Sequence, residues 1–303
     1  MVDVCLLGTG GMMPLPGRYL TSLLIASQGK MILIDCGEGT QVTLKMCGWG
    51  FKAIEAICFT HFHADHIAGL PGMLLTIANS GKTTPLTIIG PIGLETVVNG
   101  LRVVAPHLPF EIIFIEVSND KANSFDIHGF KIDTLPLDHG MICVGYNINI
   151  GRQRKFDALR AENANIPKIF WNKLQKGEEI FFEGKLYKPD MVLGESRKGI
   201  KISYCTDTRP TENIISFVEE ADLFICEGMY GEDEYIVKAV EYKHMLFSEA
   251  AFLAKKANVK ELWLTHFSPS LLFPEEYLEA IQEIFVNTKI GEDRLIKELK
   301  FEI

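Results

Sequence analysis

Short apolar stretches alternate along most of this chain with segments whose apolar residues recur at helical spacing. The apolar stretches predict β-strands at residues 2–7, 20–27, 30–35, 54–60, 86–90, 110–116, 130–137, 141–150, 200–206, 222–226 and 260–264. The helical spacing predicts α-helices at residues 40–46, 67–77, 91–104, 156–162, 168–176, 211–219, 233–242 and 247–257, and a helix with a final short strand after residue 275. Because strands and helices alternate, the pattern indicates an α/β fold.

The segment from Gly151 to Gly199 interrupts this alternation, because it is polar and rich in Asn, Lys and Gly. We interpret residues 1–303 as a single domain that carries residues 151–199 as an inserted arm. Residues 151–188 contain nine basic and five acidic side chains, although the whole chain has a net charge of −9. A basic segment on an acidic protein is typical of a docking site for a polyanion, but an ordinary solvated pair of helices has the same composition. If the arm docks a polyanion, the candidate substrate-binding residues are Arg152, Arg154, Lys155, Lys168 and Lys173.

The composition is that of a globular protein, with 47% hydrophobic and 23% charged residues among 303. No apolar run reaches the length of about 18 residues that a membrane-spanning helix requires, and the amino terminus lacks the basic start of a signal peptide. The seven cysteines include no Cys-x-x-Cys pair, and several lie in apolar strand patterns. Thiols of this kind predict a cytoplasmic protein with reduced cysteines and no membrane partner.

Four residues of metal-binding type lie together directly after one predicted strand. His61, His63, Asp65 and His66 follow an H-x-H-x-D-H pattern. Neutral imidazole nitrogens and carboxylate oxygens are ligands of zinc, and they must converge on the ion from several directions. The end of a buried strand, followed by a tight loop and a helix, allows that convergence and is where open α/β sheets bind ligands. The pattern therefore predicts a metal site.

Further polar residues also stand at predicted strand ends, namely His139, Asp207 and His266. One zinc ion needs three or four protein ligands, whereas seven candidates suit two metals that share a bridging carboxylate. Two such ions activate water and hold both oxygens of a displacement at phosphorus. His244 lies outside the strand ends and is free to act as an acid. Asp35, at the end of another strand, is a candidate to orient a ligand histidine.

Several stretches together resemble the ribonuclease Z family, which are tRNA 3′-processing endonucleases of the metallo-β-lactamase fold superfamily. The matching stretches are residues 7–10, 34–41, 61–66, 69–72, 85–91, 138–140, 205–209 and 264–268. The Asp-Cys-Gly-Glu-Gly-Thr-Gln run and the Gly-Leu-Pro-Gly run are the more specific signals, because H-x-H-x-D-H alone marks only the superfamily. The resemblance implies a four-layer αβ/βα sandwich with a di-zinc site. It also implies a homodimer that hydrolyses one phosphodiester of a tRNA precursor to remove the 3′ trailer, with the arm holding the tRNA.

The resemblance also implies a role for each site residue, carried over by position. The implied metal ligands are His61, His63 and His139 for one zinc ion, Asp65, His66 and His266 for the other, and Asp207 as the bridge. Asp65 would in addition accept a proton from the attacking water. His244, oriented by Glu227, would protonate the leaving oxygen or stabilise the phosphate, so the implied catalytic residues are Asp65, His244 and Glu227.

The chain departs from the family pattern outside the ligand set. The arm continues from Ile166-Pro167 without the usual Gly-Pro motif, Cys226 stands where His is usual, and Met245-Leu246 stands where small hydroxyl residues are usual. An alternative interpretation keeps the di-zinc centre and changes the substrate to a small phosphodiester, a sulfate ester, a thioester or a lactone, since one fold hosts many reactions. The basic arm favours tRNA over these. Mn²⁺ or Fe²⁺ in place of Zn²⁺ stays open, because His/Asp sites accept several divalent ions.

Overall fold

Two seven-stranded β-sheets form the body of the computed structural model, which describes residues 1–118 and 120–302. The strands are β1 (Val2–Gly8), β2 (Ser22–Ser27), β3 (Lys30–Ile34), β4 (Ile54–Cys58), β5 (Leu86–Pro91), β6 (Ile112–Val117), β7 (Ser124–Ile127), β8 (Phe130–Leu137), β9 (Cys143–Arg152), β10 (Ile180–Phe182), β11 (Lys185–Tyr187), β12 (Arg197–Cys205), β13 (Leu223–Glu227), β14 (Leu262–Thr265), β15 (Thr288–Ile290) and β16 (Leu295–Leu299). The helices are α1 (Thr40–Met46), α2 (Ala64–Ile67), α3 (Leu70–Asn79), α4 (Leu94–Leu101), α5 (Ala158–Asn163), α6 (Lys168–Gln175), α7 (Glu212–Val218), α8 (Ile236–Tyr242), α9 (Phe247–Lys256) and α10 (Leu278–Ile284).

Each sheet is mixed, with a parallel part that carries the helical connections. The first sheet has the order β16-β1-β2-β3-β4-β5-β6, and the second has the order β15-β14-β13-β12-β9-β8-β7. Strands β3 to β6 run parallel, as do β12 to β15. The first strand of the chain pairs antiparallel with the last, so that Val2 lies opposite Leu299. Parallel strands bring their carboxyl ends to the same edge, and that edge carries the candidate site.

Both faces of the central strands are buried, which requires material on each side of each sheet. On β1, Cys5 and Leu7 pack in a core with helix residues such as Leu44 and Leu74. The other faces of the sheets meet each other, and the hydroxyl of Tyr146 on β9 donates to the carbonyl of Phe59 at 2.6 Å. Helices, sheet, sheet and helices thus form four layers, and the predicted αβ/βα sandwich is confirmed.

The structure corrects the helix predicted at residues 67–77, which is broken between α2 and α3. Gly69 lies at the break, and its amide donates to the carbonyl of Cys36 at 2.9 Å. A Cβ at Gly69 would stand 2.0 Å from the carbonyl oxygen of Gly37. The two backbones therefore approach as closely as only glycine permits, and the chain turns there instead of continuing as one helix.

Residues 151–199, with Phe301 and Glu302, form a separate unit with its own small core. Helices α5 and α6 pack there with the hairpin of β10 and β11, around the buried side chains of Ile166, Phe170 and Leu174. Glu183 and Gly184 make the two-residue turn of the hairpin with positive φ angles of 49° and 75°, as a tight hairpin turn demands. The assignment of residues 151–199 as an arm on one domain stays a prediction.

None of the helices within residues 1–118 and 120–302 combines the length and the hydropathy needed to cross a membrane.

Candidate metal centre

Three strands are each followed by a residue in a left-handed backbone conformation, and these residues place polar side chains in the centre. Asp35, Asp207 and His266 follow β3, β12 and β14, and each has a positive φ angle, of 60°, 52° and 60°. Side chains with a Cβ adopt this left-handed conformation at a cost of about 1 kcal/mol or more. Surrounding packing must stabilise it, and such strained residues concentrate at functional sites. Here the sharp turn after each strand directs a ligand-type side chain inwards.

The first ligand group consists of three imidazoles around one carboxylate. His61 Nε2 lies 2.9 Å from His63 Nδ1, which lies 3.3 Å from His139 Nε2. Asp207 Oδ2 lies 3.7 Å from His61 Nε2 and 3.9 Å from His139 Nε2. Ligand atoms of all four residues lie within 4.8 Å of one another. The predicted set for one metal is therefore assembled in space.

The second ligand group adjoins the first through Asp207. His66 Nε2 and His266 Nε2 lie 3.2 Å apart, and Asp65 Oδ2 lies 3.5 Å from each of them. The other oxygen of Asp207, Oδ1, lies 3.3 Å from His66 Nε2 and 3.2 Å from His266 Nε2. Each oxygen of Asp207 thus faces a different group, which is the geometry of a bridging carboxylate.

The outer nitrogens of two ligand rings are fixed by neighbouring acceptors. His66 Nδ1 donates to Asp35 Oδ2 at 2.9 Å, and His139 Nδ1 donates to the Lys243 carbonyl at 3.2 Å. A neutral ring that donates from Nδ1 presents a lone pair at Nε2. Lone pairs that face each other at about 3 Å are unfavourable unless a proton or a metal ion lies between them. This donor set therefore fits divalent metal ions and constitutes a metal-binding site.

Neighbouring imidazoles keep both carboxylates ionised. Burial would raise the pKa of Asp207, but the surrounding imidazoles outweigh it and hold that pKa well below its usual range. Burial would also raise the pKa of Asp65, but hydrogen bonds from two imidazoles lower it. Ionised carboxylates are the form that binds a divalent cation.

The imidazoles differ in their protonation. Burial lowers the pKa of His61 and of His139, so both rings are neutral near pH 7 and ready to coordinate. At His66 burial would lower the pKa, but two neighbouring carboxylates raise it well above the usual value. A cation that binds at His66 therefore displaces a proton.

His244 lies beside the ligand groups and is held by a buried carboxylate. Its Nδ1 donates to Glu227 Oε2 at 3.1 Å, and the other oxygen of Glu227 accepts from the amide of Thr208. Burial would lower the pKa of His244, but the charge and hydrogen bond of Glu227 raise it to about 9. The ring is therefore protonated near pH 7. With Nδ1 bound to Glu227, Nε2 is the nitrogen available to another partner.

Comparison with known proteins decides the family. Residues 2–156 match a family model described as Anti-Pycsar protein Apyc1. The ribonuclease Z of Clostridium acetobutylicum is 59% identical over 100% of this chain and 99% of its own length. The ribonuclease Z of Clostridium kluyveri is 58% identical over 99% of both chains. This chain belongs to the ribonuclease Z family.

Solved structures with the same fold support the architecture of this ribonuclease Z family member. The short form of human tRNase Z matches with a TM-score of 0.69 and 24% identity over 99% of this chain and 100% of that one. The metallo-β-lactamase fold protein YhfI of Bacillus subtilis matches with a TM-score of 0.70 and 20% identity over 98% of both chains. The predicted family and the metallo-β-lactamase fold are both confirmed.

The two arginines predicted to bind substrate have partners inside the separate unit formed by the arm and residues 301 and 302 of this ribonuclease Z family member. The guanidinium of Arg152 donates to the carbonyl of Glu302 and lies over the ring of Phe301, 5.6 Å from its centroid. The guanidinium of Arg154 pairs with Asp190 and also donates to backbone carbonyls of residues 193 and 194. Both side chains therefore stabilise the arm itself.

The predicted lysines of the arm behave differently from its arginines. Lys155, Lys168 and Lys173 are exposed, and none forms an ion pair within residues 1–118 and 120–302. The ammonium of Lys168 lies 5.5 Å from the centroid of the Trp171 ring. These lysines are available to a ligand in solution.

Sequence reasoning missed two residues that hold the segment around His244. Arg209 donates to both carboxylate oxygens of Glu249 and to the carbonyl of His244. Glu249 also accepts from the amide of Leu246 at 3.0 Å, at the start of α9. Arg209 lies in the family-like stretch 205–209, but its partner is 40 residues away. Nothing in the spacing of the two residues indicated the pair.

The departures from the family pattern near His244 contact each other. The sulfur atoms of Cys226 and Met245 lie 3.9 Å apart, and both side chains are fully buried. Where the family usually has polar residues, this chain has an apolar pair beneath Glu227. The hydrogen bonds of Glu227 to Thr208 and His244 are present despite that change.

Proposed function

We propose that this protein is a di-zinc endoribonuclease that hydrolyses one phosphodiester at the 3′ end of tRNA precursors and so removes the 3′ trailer. The placement of Asp207, with one oxygen towards each ligand group, carries the proposal. A paired site of this kind suits displacement at phosphorus, where the attacking and leaving oxygens both need stabilisation. When bound, the two zinc ions would polarise the scissile phosphate and lower the pKa of the attacking water.

The chain's own residues hold the ions and move the protons. The residues that would hold the two zinc ions are His61, His63 and His139 on one side, Asp65, His66 and His266 on the other, and Asp207 between them. The ionised carboxylate of Asp65 accepts a proton from the attacking water, and the amide of Met12 fixes its Oδ2 at 2.7 Å. The protonated ring of His244 donates a proton from Nε2 to the leaving oxygen, while Glu227 holds its Nδ1.

The arm supports a polyanionic substrate. Its exposed lysines, among them Lys155, Lys168 and Lys173, offer charge to phosphates. Relatives at 52% to 59% identity over nearly their whole length are named ribonuclease Z, and the structural neighbour from human is a tRNase Z. A tRNA precursor combines a phosphate-rich body for the arm with a 3′ end for the metal centre.

We further propose that the protein acts as a homodimer in the cytoplasm, with the arm of one subunit holding tRNA. The seven cysteines are free, and six of them are buried. Burial raises the pKa of the thiols of Cys36, Cys58 and Cys205 far above the usual value. Such thiols suit a reducing compartment.

A cleavage assay tests the substrate and the chemistry together. Protein loaded with zinc is incubated with a 3′-extended tRNA precursor and, separately, with bis(p-nitrophenyl) phosphate. We expect cleavage of the precursor to a tRNA with a 3′-hydroxyl, and loss of both activities in Asp65→Ala. Wild-type protein that hydrolyses the ester but leaves the precursor intact would refute the tRNA assignment and favour a small phosphodiester. Full activity of Asp65→Ala would refute the proposed role of Asp65.

A further inference from the structure

A cavity of about 670 Å³ opens at the metal centre, and one of its walls has no part in the chemistry described so far. The ligand side chains form one wall. The other is formed by residues around α8, among them Tyr230, Lys238 and Tyr242. The volume lies in the range of about 300–1000 Å³ that is usual for small-molecule sites. The cavity can therefore hold a nucleotide beside the reacting phosphate.

Helical spacing places the side chains of this wall in one stripe. Lys238 and Tyr242 are four residues apart on α8, so they lie on the same face of the helix. Tyr235, three residues before Lys238, continues the stripe, and the Lys238 ammonium lies 5.0 Å from the centroid of its ring. Ala239 is fully buried and anchors α8 to the body. Lys238 and Tyr242 thus face the cavity from a helix that is anchored to the body.

Two tyrosine rings of this wall pack against each other, while a third tyrosine and a lysine are left exposed. The rings of Tyr230 and Tyr235 are stacked, with centroids 5.5 Å apart and an interplanar angle of 25°. Tyr242 stands next to them with 57% of its surface exposed. Within residues 1–118 and 120–302, the side chains of Lys238 and Tyr242 form no hydrogen bond or ion pair. The wall therefore offers an open ring face and an unpaired cation.

Charge points to the kind of ligand. Lys238 is the one lysine or arginine among the cavity-lining residues that the structure describes, in a chain with a net charge of −9. The next lysine, Lys243, is already paired with Asp138. Val237 and Val240 are exposed on α8 but do not line the cavity. An aromatic face beside a lysine ammonium suits a nucleobase with its phosphate better than an apolar ligand, because a base stacks on tyrosine while the phosphate requires a positive partner.

We propose that Tyr242 and Lys238 form a nucleotide subsite that positions the substrate for cleavage. The base of a nucleotide next to the scissile bond stacks on the open face of Tyr242. The ammonium of Lys238 pairs with the phosphate adjacent to the reacting one. Stacking accepts any base, since every base has a π-face. This subsite rests on the proposed function, because it deepens the assignment of ribonucleic acid as the substrate.

Two esters with the same leaving group test the subsite in the zinc-loaded protein. Thymidine 5′-(p-nitrophenyl phosphate) carries a nucleoside, and methyl p-nitrophenyl phosphate does not. For Tyr242→Ala we expect KM to rise about tenfold for the nucleoside ester and for the tRNA precursor, with the methyl ester unchanged. Tyr242→Phe keeps the ring and should stay within about twofold of wild type.

A lysine pair provides the matched test of charge. For Lys238→Gln we expect a higher KM for the precursor and a slope of log KM against log salt that is lower by about one. Lys255→Gln removes the same charge from an exposed position on α9 outside the cavity and should leave the slope unchanged.

Distinct outcomes separate the subsite from the proposed function. The subsite is overturned if Tyr242→Ala leaves all substrates unaffected, slows both esters equally, or changes the oligomeric state measured by light scattering, which would indicate a protein interface. If wild type fails on the precursor while Tyr242→Ala raises KM for the nucleoside ester and not for the methyl ester, the tRNA assignment fails and the subsite stands. If wild type cleaves the precursor and Tyr242→Ala does so equally well, the subsite fails alone.

Discussion

In the metal centre, charged side chains are buried and face one another, whereas in the arm most lysines stand in solvent without a partner. Asp207 is 2% exposed and lies within 4 Å of five imidazole nitrogens. In the arm the arginines stabilise the local fold, and Lys155 and Lys173 contact no acidic group within the described part of the chain. Buried groups must satisfy each other or bind an ion, while exposed cations are left for a mobile polyanion. The difference is consistent with the proposal that bond breaking and substrate capture reside in separate units.

The largest effect is expected from Asp207→Ala, which removes one oxygen from each ligand group. We expect hydrolysis of both the precursor and the small ester to fall at least about a thousandfold, since metal charge contributes several kcal/mol to such reactions. Elemental analysis should show loss of bound metal. Asp120→Ala, at an exposed loop position, serves as the control and should retain metal and activity. Full metal content in Asp207→Ala would contradict the bridging role.

Shortening the arm is expected to have the next largest effect. It separates the proposed binding of tRNA by the arm from hydrolysis at the metal centre. Asp157 and Val192 are hydrogen-bonded across the base of the arm at 2.8 Å, and Phe156 and Leu193 form an antiparallel bridge there. Replacing residues 158–191 with Asn-Gly should therefore close a hairpin. We expect precursor cleavage to fall about a hundredfold, while the small ester turns over normally. Loss of both activities would mean that the centre depends on the arm.

A smaller effect should follow from breaking the ion pair of Arg209 and Glu249. Because Arg209 also donates to the carbonyl of His244, its loss should lower kcat and leave KM unchanged. In a double-mutant cycle with Arg209→Met and Glu249→Gln we expect a coupling energy of about 1–2 kcal/mol in kcat. Additive effects of the two substitutions would show that the pair does not position His244. Arg209→Lys, which keeps the charge but not the bidentate geometry, should recover part of the rate.

The smallest effects distinguish lysines from arginines within the arm. Lys173→Gln should weaken precursor binding about two- to threefold and lower its salt slope by about one. Arg154→Gln should leave that slope unchanged but make the arm more susceptible to limited proteolysis, since Arg154 bonds Asp190 and two carbonyls there. Equal salt slopes for the two variants would contradict the division of roles.

Local pattern identified the candidate metal ligands because each stands just after a predicted strand, and neighbouring strand ends meet at one edge of a sheet. The same reasoning failed where contacts are distant. The ion pair of Arg209 and Glu249 joins two loops that no periodicity connects. Lys238 and Tyr242 lie on a helix whose exposed residues are largely apolar. The pattern of apolar residues therefore could not predict which face of this helix lines the cavity.

Two details of the fold could also not be predicted from the pattern of apolar residues. The edge strand β7 alternates exposed and half-buried residues and has no apolar run, so it was not predicted. The break between α2 and α3 follows from the backbone of Gly69 packing against residues 36 and 37. That contact is tertiary, and the helical spacing of apolar residues continues through it.

The pairing of β1 with β16 sets a condition on how the protein is made. Val2 is synthesised 297 residues before its partner Leu299. At about 5–20 residues per second this delay is roughly 15–60 s, and during it one edge of β1 is open to wrong partners. His266, the last candidate ligand along the chain, is synthesised 205 residues after His61. A nascent chain that has not reached His266 therefore carries an incomplete ligand set.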